Sequence, residues 1–200
     1  MRVPLSLLIC CAAILLQSCV ALKPNAISTK EYALGLFEEA NAASMNLESS
    51  PVFIYIQPPN LPGYLDGTDL VFQRTNGEIL SLPRSKWAEP LLEGIPRALG
   101  QYLERSALLR VSGYYPWPQT DKSAARLSLR FYRFFVGETG AVHVDARWSL
   151  RLPNGRERHG GFNHLSAIGA IGEAESLVTA YNGALEALAE SISDTLQVDG

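Results

Sequence analysis

The thiol of Cys19 is the side chain in this sequence whose surroundings most clearly predict a chemical modification. It follows the tripeptide Leu-Gln-Ser and ends an apolar run, residues 3–16, that begins after a single basic residue, Arg2. The run is long enough for the core of a secretory signal and too short to span a bilayer. Because Ser18 is small, the pattern is typical of a lipobox, in which the chain is cut before the cysteine and the thiol receives a diacylglycerol.

This interpretation divides the chain into a lipoprotein signal peptide over 1–18, a lipidated tether over 19–30 and a single domain over 31–200. Several acyl chains make a lasting anchor, whereas one alone binds a membrane only marginally. No aspartate follows Cys19, which in enterobacteria is typical of lipoproteins sorted to the outer membrane. We therefore expect a lipid-anchored protein on the periplasmic face of the outer membrane. The alternative is an ordinary secretory signal, in which Cys19 is one more apolar residue, like Cys10 and Cys11.

Catalytic and metal-binding chemistry has little support in the sequence. All the cysteines lie at or before Cys19, so the mature domain is predicted to have no disulfide and no thiolate metal site. The histidines are His143, His159 and His164. The last two lie on one predicted strand at a spacing that places them on opposite faces, which disfavours a shared metal ion. Hydrolase, nucleotide-binding and metalloprotease motifs are absent, so we predict no enzyme activity, no cofactor and no metal.

Composition and charge restrict the possible partners. The chain has 200 residues, of which 47% are hydrophobic and 18% charged, the balance of an ordinary globular domain. Its formal net charge is -3, and removal of Arg2 with the signal would make the mature chain slightly more acidic. Nothing resembles the basic stripe of a nucleic-acid-binding protein, so nucleic acid is excluded as a partner.

The strand pattern predicts a sheet with one buried face. Residues 51–57 are β-branched and aromatic and are expected to form a central strand. A hairpin over 70–74 and 78–82 is predicted around Thr-Asn-Gly, because Asn-Gly tolerates positive φ. Strict alternation predicts an antiparallel meander. Its strands are 125–136, 142–152 and 156–165, with turns at 137–140 and 153–155. A separate strand is predicted at 31–37, before a loop at 38–50.

Two helices complete the predicted fold. Residues 87–105 and 173–196 each show apolar residues at three-and-four spacing along one face. Pro90 suits a first helical turn, whereas Pro96 predicts a kink or a restart. We expect an α+β fold: a mixed, largely antiparallel sheet with two long helices packed on one face, a two-layer sandwich.

An arginine ladder is expected on the exposed face of the meander. Its members alternate with the apolar residues of two neighbouring strands: Arg126, Arg130, Arg147 and Arg151. One interpretation is a solvated face that discourages edge-to-edge pairing of sheets. The other is a contact surface for an acidic partner or for lipid head groups.

Several short motifs in this order resemble one known family. They are Leu-Pro-Gly-Tyr-Leu-Asp at 61–66, Leu-Val-Phe-Gln-Arg at 70–74, Trp-Ala-Glu-Pro-Leu at 87–91, Tyr-Pro-Trp-Pro at 115–118 and Ala-Arg-Trp at 146–148. Behind a lipobox, and spread over nearly all of the mature chain, they are similar to the PqiC-type auxiliary lipoproteins of ABC-type and MCE-type transport systems.

The resemblance implies a Gram-negative periplasmic lipoprotein, usually on the outer membrane. It would work with an MCE-domain protein of the same system, which carries lipids or other hydrophobic molecules across the envelope. The implied role is auxiliary, either docking to the conduit or completing it at the outer membrane. A homo-oligomer would suit a conduit.

The motif residues are candidates for partner contact. They are Leu61, Pro62, Tyr64, Leu65, Asp66, Arg74, Trp87, Glu89 and Pro90. Each also has a structural interpretation: the first motif could shape a turn, Trp87 could fix the start of a helix, and Glu89 suits the positive end of a helix dipole.

Two other functions are compatible with the sequence. A lipid-binding carrier would hold its own ligand between sheet and helices, and an apolar cavity with bound lipid would distinguish it. An outer-membrane assembly lipoprotein would be distinguished by the partner that it retains. Fold alone does not decide among these functions.

Overall fold

A computed structural model describes residues 28–35, 51–106, 108–116, 122–166 and 173–197 of the chain. Cys19, the signal peptide, most of the tether and the loop at 38–50 lie outside these residues. The described part contains eight strands, one short 3-10 turn (Gly63–Leu65) and two helices. The strands are β1 (Lys30–Tyr32), β2 (Val52–Ile56), β3 (Asp69–Gln73), β4 (Ile79–Trp87), β5 (Leu109–Tyr114), β6 (Ala125–Gly137), β7 (Val142–Arg151) and β8 (Glu157–Ser166). The helices are α1 (Leu91–Arg105) and α2 (Ala174–Gln197).

Strand β6 organises the sheet. Along one edge it pairs with β7 in an antiparallel ladder, and β8 continues that meander. Its other edge is shared by two parallel partners, β2 near its start and β3 near its end. Beyond β2 lies β5, and beyond β3 lie β4 and then β1. The sheet is therefore mixed and open, its longest ladders are antiparallel, and the predicted α+β class is confirmed.

The helices bury the faces that the sequence spacing predicted. On α1 the buried residues include Leu91, Ile95, Ala98, Leu99, Tyr102 and Leu103, whereas Leu92, at the edge of that face, is exposed. On α2 they include Leu177, Tyr181, Leu185, Leu188 and Ile192. They pack against the alternating apolar residues of β6 and β7. At about 1.5–3 kcal/mol for each large apolar side chain removed from water, this cluster supplies the main stabilising free energy of the fold.

Three aromatic rings meet at the centre of this core. Tyr181 of α2 lies 4.7 Å from the Phe134 ring, centroid to centroid, and 5.4 Å from the Trp87 ring in an edge-on arrangement. Burial raises the pKa of the Tyr181 phenol far above its ordinary value. The tyrosine therefore remains neutral and acts as a core residue.

Most predicted strands are present, with shifted ends. Residues 51–57 correspond to β2, which is central because it pairs with both β5 and β6. The hairpin is β3–β4, but β4 continues to Trp87. Pro83 does not interrupt it, because the residue lies between Ser81 and Lys86, where the register of β4 against β3 shifts and the ladder needs no N–H from it. Arg84 beside it has a φ of 57°, which accompanies the break in register.

Helix α1 begins four residues later than predicted, because Trp87 belongs to β4. The carbonyl of Pro90 accepts hydrogen bonds from the N–H groups of Glu93 and Gly94, both at 2.9 Å, and so starts the helix. The helix is continuous through Pro96, so the predicted restart is wrong, while a kink stays a prediction. The predicted second helix corresponds to α2. Of the strand predicted at 31–37, residues 31–35 are described, and only 31 and 32 belong to a strand, β1.

Two features of the sheet were not predicted. Strand β5 has no counterpart among the predicted strands, although buried Leu109 lies between more exposed neighbours. The register of β6 against β7 also shifts between Phe131 and Arg133, a bulge that leaves Tyr132 exposed. Because of the bulge, the buried series continues at Phe134 instead of 133.

Candidate functional site

The first family motif forms a strap that follows β6 between its two parallel partners. Asn60 donates its N–H to the carbonyl of Leu129 and accepts the N–H of Phe131, both at 2.9 Å, so the strap continues the ladder after β2 ends. The 3-10 turn comes next. Pro62 accepts the N–H of Leu65 at its start, and Leu65 is buried.

The remaining residues of that motif differ in exposure. Leu61 is half-buried against the core. Tyr64 is 38% exposed, and burial of the rest of its ring raises the pKa of its phenol, against the opposing effect of Arg133. Asp66 is exposed and forms no ion pair with another described residue. Of this motif, Tyr64 and Asp66 are therefore the side chains accessible to a partner.

The Trp-Ala-Glu-Pro-Leu motif at 87–91 joins β4 to α1 through internal contacts. Trp87 is buried and donates its backbone N–H to the carbonyl of Thr68 at 2.7 Å. Glu89 forms an ion pair with Arg97, which also donates to the carbonyl of Leu34 at 2.8 Å. These contacts hold the segment after β1 to the start of α1. Trp87, Glu89 and Pro90 thus have structural roles, and any contact with a partner would be additional to these roles.

Arg74 lies at the tip of the β3–β4 hairpin, away from the other motif residues. Its guanidinium pairs with Glu78 at 2.8 Å, and both side chains are exposed. The neighbouring Thr75 donates its N–H and its hydroxyl to Glu138 in the β6–β7 turn, at 3.1 Å and 2.9 Å. These two hydrogen bonds lower the pKa of the Glu138 carboxyl and join the tips of two hairpins.

The exposed face of the meander contains the predicted arginine ladder. Arg126 lies directly opposite Arg151, and Arg130 directly opposite Arg147, on adjacent strands. The first pair has an acidic neighbour, since Arg151 lies 3.9 Å from Glu157. Arg130 forms no ion pair with another described residue, and Arg147 lies over the Tyr132 ring at 5.6 Å. The ladder is thus confirmed as a structural feature.

A groove of about 680 Å³ surrounds the second arginine pair. Polar groups on its walls come from β6, β7, β8 and the start of the strap: Gln57, Asn60, Ser128, Arg130, Tyr132, Arg147, Ser149 and His159. No carboxylate is found among its described lining residues. Sequence alternation predicted its arginines, but the contributions of Tyr132 and the strap depend on the bulge and on β6 pairing, which no local pattern reveals.

A second groove, of about 470 Å³, lies beside the first half of α1. Its walls are more apolar and include Leu92, Pro96, Tyr114 and Tyr115. The ion pair of Glu89 with Arg97 borders it. The sequence pattern does not predict this groove, because β5, which supplies Tyr114, is not among the predicted strands.

The histidines are dispersed. His164 stacks on Phe162 and pairs in register with buried Val144, whereas His159 pairs with Ser149 on the opposite face, as predicted. His143 stacks on Phe135, and desolvation, with a smaller effect of Arg133, lowers the pKa of its imidazole. Within the described ranges, no group of three or more potential ligands is placed to hold a metal ion.

A sequence profile of the family described as "ABC-type transport auxiliary lipoprotein component" matches residues 32–193. The chain belongs to this family. The PqiC-type resemblance of its motifs is thereby confirmed. The match begins at the last residue of β1, covers β2 to β8 and almost all of α2, and so spans nearly the whole α+β domain. No curated protein matches the sequence significantly.

Two solved structures share the fold of this auxiliary lipoprotein. One, described as a crystal structure of an uncharacterized protein, has a TM-score of 0.67 at 18% identity and covers 84% of this chain and 99% of its own. The other is protein XCC0632 from Xanthomonas campestris, of family DUF330, with a TM-score of 0.56 at 14% identity, covering 86% of this chain and 96% of its own. Identities this low establish the fold alone.

The family consists of auxiliary components of ABC-type transport systems and is not described as an enzyme family. Membership also associates the domain with lipoproteins and therefore with the cell envelope. In the described part of the chain, neither helix is long and apolar enough to cross a membrane.

Proposed function

We propose that this protein is a non-enzymatic, lipid-anchored auxiliary component of an ABC-type transport system that contains an MCE-domain protein. Cys19 would hold it at the periplasmic face of the outer membrane. The domain would then dock to the MCE-domain protein, or complete the conduit for lipids or other hydrophobic molecules at that membrane. The observation that carries the proposal is the family match over 32–193, which begins shortly after the predicted lipobox.

The packing of the domain favours docking over transport of a ligand inside the sandwich. Tyr181, Phe134 and Trp87 fill the space between the sheet and α2 and contact one another ring to ring. The side chains there are almost completely buried. A hydrophobic cargo would have to displace this core, at the cost of the free energy that stabilises the fold.

Accessible motif side chains are the proposed contacts with the MCE-domain protein. Tyr64, Asp66 and Arg74 are exposed, and Asp66 forms no ion pair with another described residue. Arg74 could bind a carboxylate of the partner in place of Glu78, because an exposed ion pair of this kind contributes only about 0–1 kcal/mol. A homo-oligomer of the domain would present several copies of these groups to the conduit.

The alternative function, a carrier of its own lipid, is favoured by one observation. The groove beside α1 offers Leu92, Pro96 and two tyrosines to an apolar ligand. Its volume of about 470 Å³ is enough for part of an acyl chain. Under this alternative, lipid would remain bound to the protein without an envelope-spanning partner.

Affinity purification of the full-length protein from gently solubilised membranes tests the proposal. Proteins and lipids in the eluate are identified by mass spectrometry, for the wild type and for Cys19→Ala. The matched control is Cys11→Ala, which alters a neighbouring cysteine of the signal peptide and keeps Cys19.

We expect an MCE-domain protein in the wild-type and Cys11→Ala eluates and a lower yield with Cys19→Ala. An acylated peptide beginning at residue 19 would support the anchor. Lipid recovered without an envelope-spanning protein would replace the proposal by the carrier function. An outer-membrane assembly protein as the main partner would assign the chain to assembly instead.

A further inference from the structure

The fold itself does not account for the pair formed by Arg130 and Arg147. The two side chains lie directly opposite each other, and like charges in that position destabilise a sheet. They do not protect an edge, because β6 and β7 each have neighbours on both sides and β8 is the edge strand. Both are exposed in a groove without a carboxylate. An anionic group bound between them would remove the repulsion.

The groove presents the chemistry that recognises phosphate. Each guanidinium offers a planar fork of donors that matches two oxygens of one phosphate group. Ser149 and His159 add polar groups in the adjacent row of the sheet. In the row of the arginines the third position is Gly161, where an added Cβ would meet nothing within 4 Å. The approach to Arg147 is therefore open.

The other walls suit a ligand larger than an isolated ion. Tyr132, 46% exposed at the bulge, packs under Arg147 and presents an apolar ring at the edge of the groove. The hydroxyl of Ser128 donates a hydrogen bond to the side-chain oxygen of Gln57, and this contact fixes the wall of the groove next to the strap. The volume, about 680 Å³, lies within the range of about 300–1,000 Å³ typical of small-molecule sites.

We propose that this groove binds a phosphate ester, with Arg130 and Arg147 as its anion-binding residues. The phosphate could belong to a lipid head group or to a free phosphate ester, since the guanidinium pair reads the chemistry common to both. The site is separate from the motif residues proposed to contact the MCE-domain protein. Its test therefore succeeds or fails independently of that proposal.

The test measures ligand binding to the full-length, lipidated protein in neutral detergent micelles by isothermal titration calorimetry. The probes are dihexanoyl phosphatidylglycerol, the same diacylglycerol without a phosphate, glycerol 3-phosphate and inorganic phosphate. The variants are Arg130→Gln and Arg147→Gln. Arg156→Gln, in the exposed β7–β8 turn, is the matched control.

We expect the phosphate-containing lipid to bind and its phosphate-free analogue not to bind. Each groove variant should weaken binding roughly tenfold or more, as loss of a charge-assisted hydrogen bond does, and Arg156→Gln should not. Glycerol 3-phosphate binding as tightly as the lipid would identify a free phosphate ester as the ligand, whereas tighter lipid binding would identify a head group.

Unfolding of the variants should not explain weaker binding, because removing one of two like charges should leave the thermal midpoint unchanged or raise it. If a glutamine variant nevertheless unfolds earlier, Arg147→Lys keeps the charge without the fork and should bind with intermediate affinity. Equal binding of the phosphate-free lipid would overturn the proposal. Wild-type affinity for the phosphate-containing lipid in both groove variants would also overturn it. The same holds if the variants lose only the binding of an acidic protein.

Discussion

The indole of Trp148 lies directly over Gly160, its register partner on β8. A Cβ added to Gly160 would lie 2.8 Å from Cε2 and Cζ2 of the indole and 2.9 Å from Nε1. Trp148 is only 3% exposed and has little freedom to move away. The absence of a side chain at 160 thus lets the large ring cover the backbone of the edge strand.

Gly160→Ala should therefore destabilise the domain. The added methyl forces the indole or β8 to shift, and overpacking of this kind costs about 1–3 kcal/mol. The measurement is the free energy of unfolding in denaturant. Gly161→Ala is the control one residue away, where nothing lies within 4 Å of the new Cβ. Equal stability of the two variants would contradict the packing role of Gly160.

The two glycines also indicate what the sequence could and could not predict. Alternation over β7, and over β6 as far as Phe131, predicts which residues are buried, because a period of two is a local property. Nothing local distinguishes Gly160 from Gly161, because their roles depend on the register with β7. The same applies to Tyr132, whose exposure follows from a bulge, and to the groove, which combines β6, β7 and β8 with a strap distant in sequence.

Glu89 is expected to stabilise the domain as well as mark the family. Glu89→Gln weakens the ion pair with Arg97, a half-buried side chain that also binds the carbonyl of Leu34. We expect a loss of about 1 kcal/mol in the free energy of unfolding, measured by chemical denaturation. Glu93→Gln is the control, since Glu93 is exposed in the first turn of the same helix. A larger loss with Glu93→Gln would indicate that the helix dipole, and not the pair, is the source of the effect.

Asp66 and Arg74 should be dispensable for folding and required for function. Both side chains are exposed, and Arg74 loses only a surface pair with Glu78 on substitution. Asp66→Ala and Arg74→Ala should therefore change the free energy of unfolding by less than about 1 kcal/mol. Recovery of the MCE-domain protein by affinity purification should fall. Lys122→Ala, also exposed, is the control for loss of a surface charge. A large decrease in thermal midpoint with either variant would assign it a structural role instead.

His143 should make the stability of the domain depend on pH. Its imidazole stacks on Phe135 with ring centroids 5.0 Å apart and packs against Gly137, and desolvation lowers its pKa from 6.5. The unfolded chain therefore takes up the proton first. The stabilising contribution is complete well above pH 6.5 and is lost as the pH falls through 6.5 towards the lower pKa of the folded state.

Replacing the imidazole by a ring that does not titrate should remove this dependence. His143→Phe keeps an aromatic contact with Phe135, so its free energy of unfolding should decrease less than that of the wild type on acidification. Denaturant unfolding measured on both sides of pH 6.5 compares the two slopes. Tyr132→Phe, at an exposed position on the same sheet face, is the control for a change of aromatic ring there. Parallel curves for wild type and His143→Phe would show that the histidine titrates alike in the folded and unfolded chains.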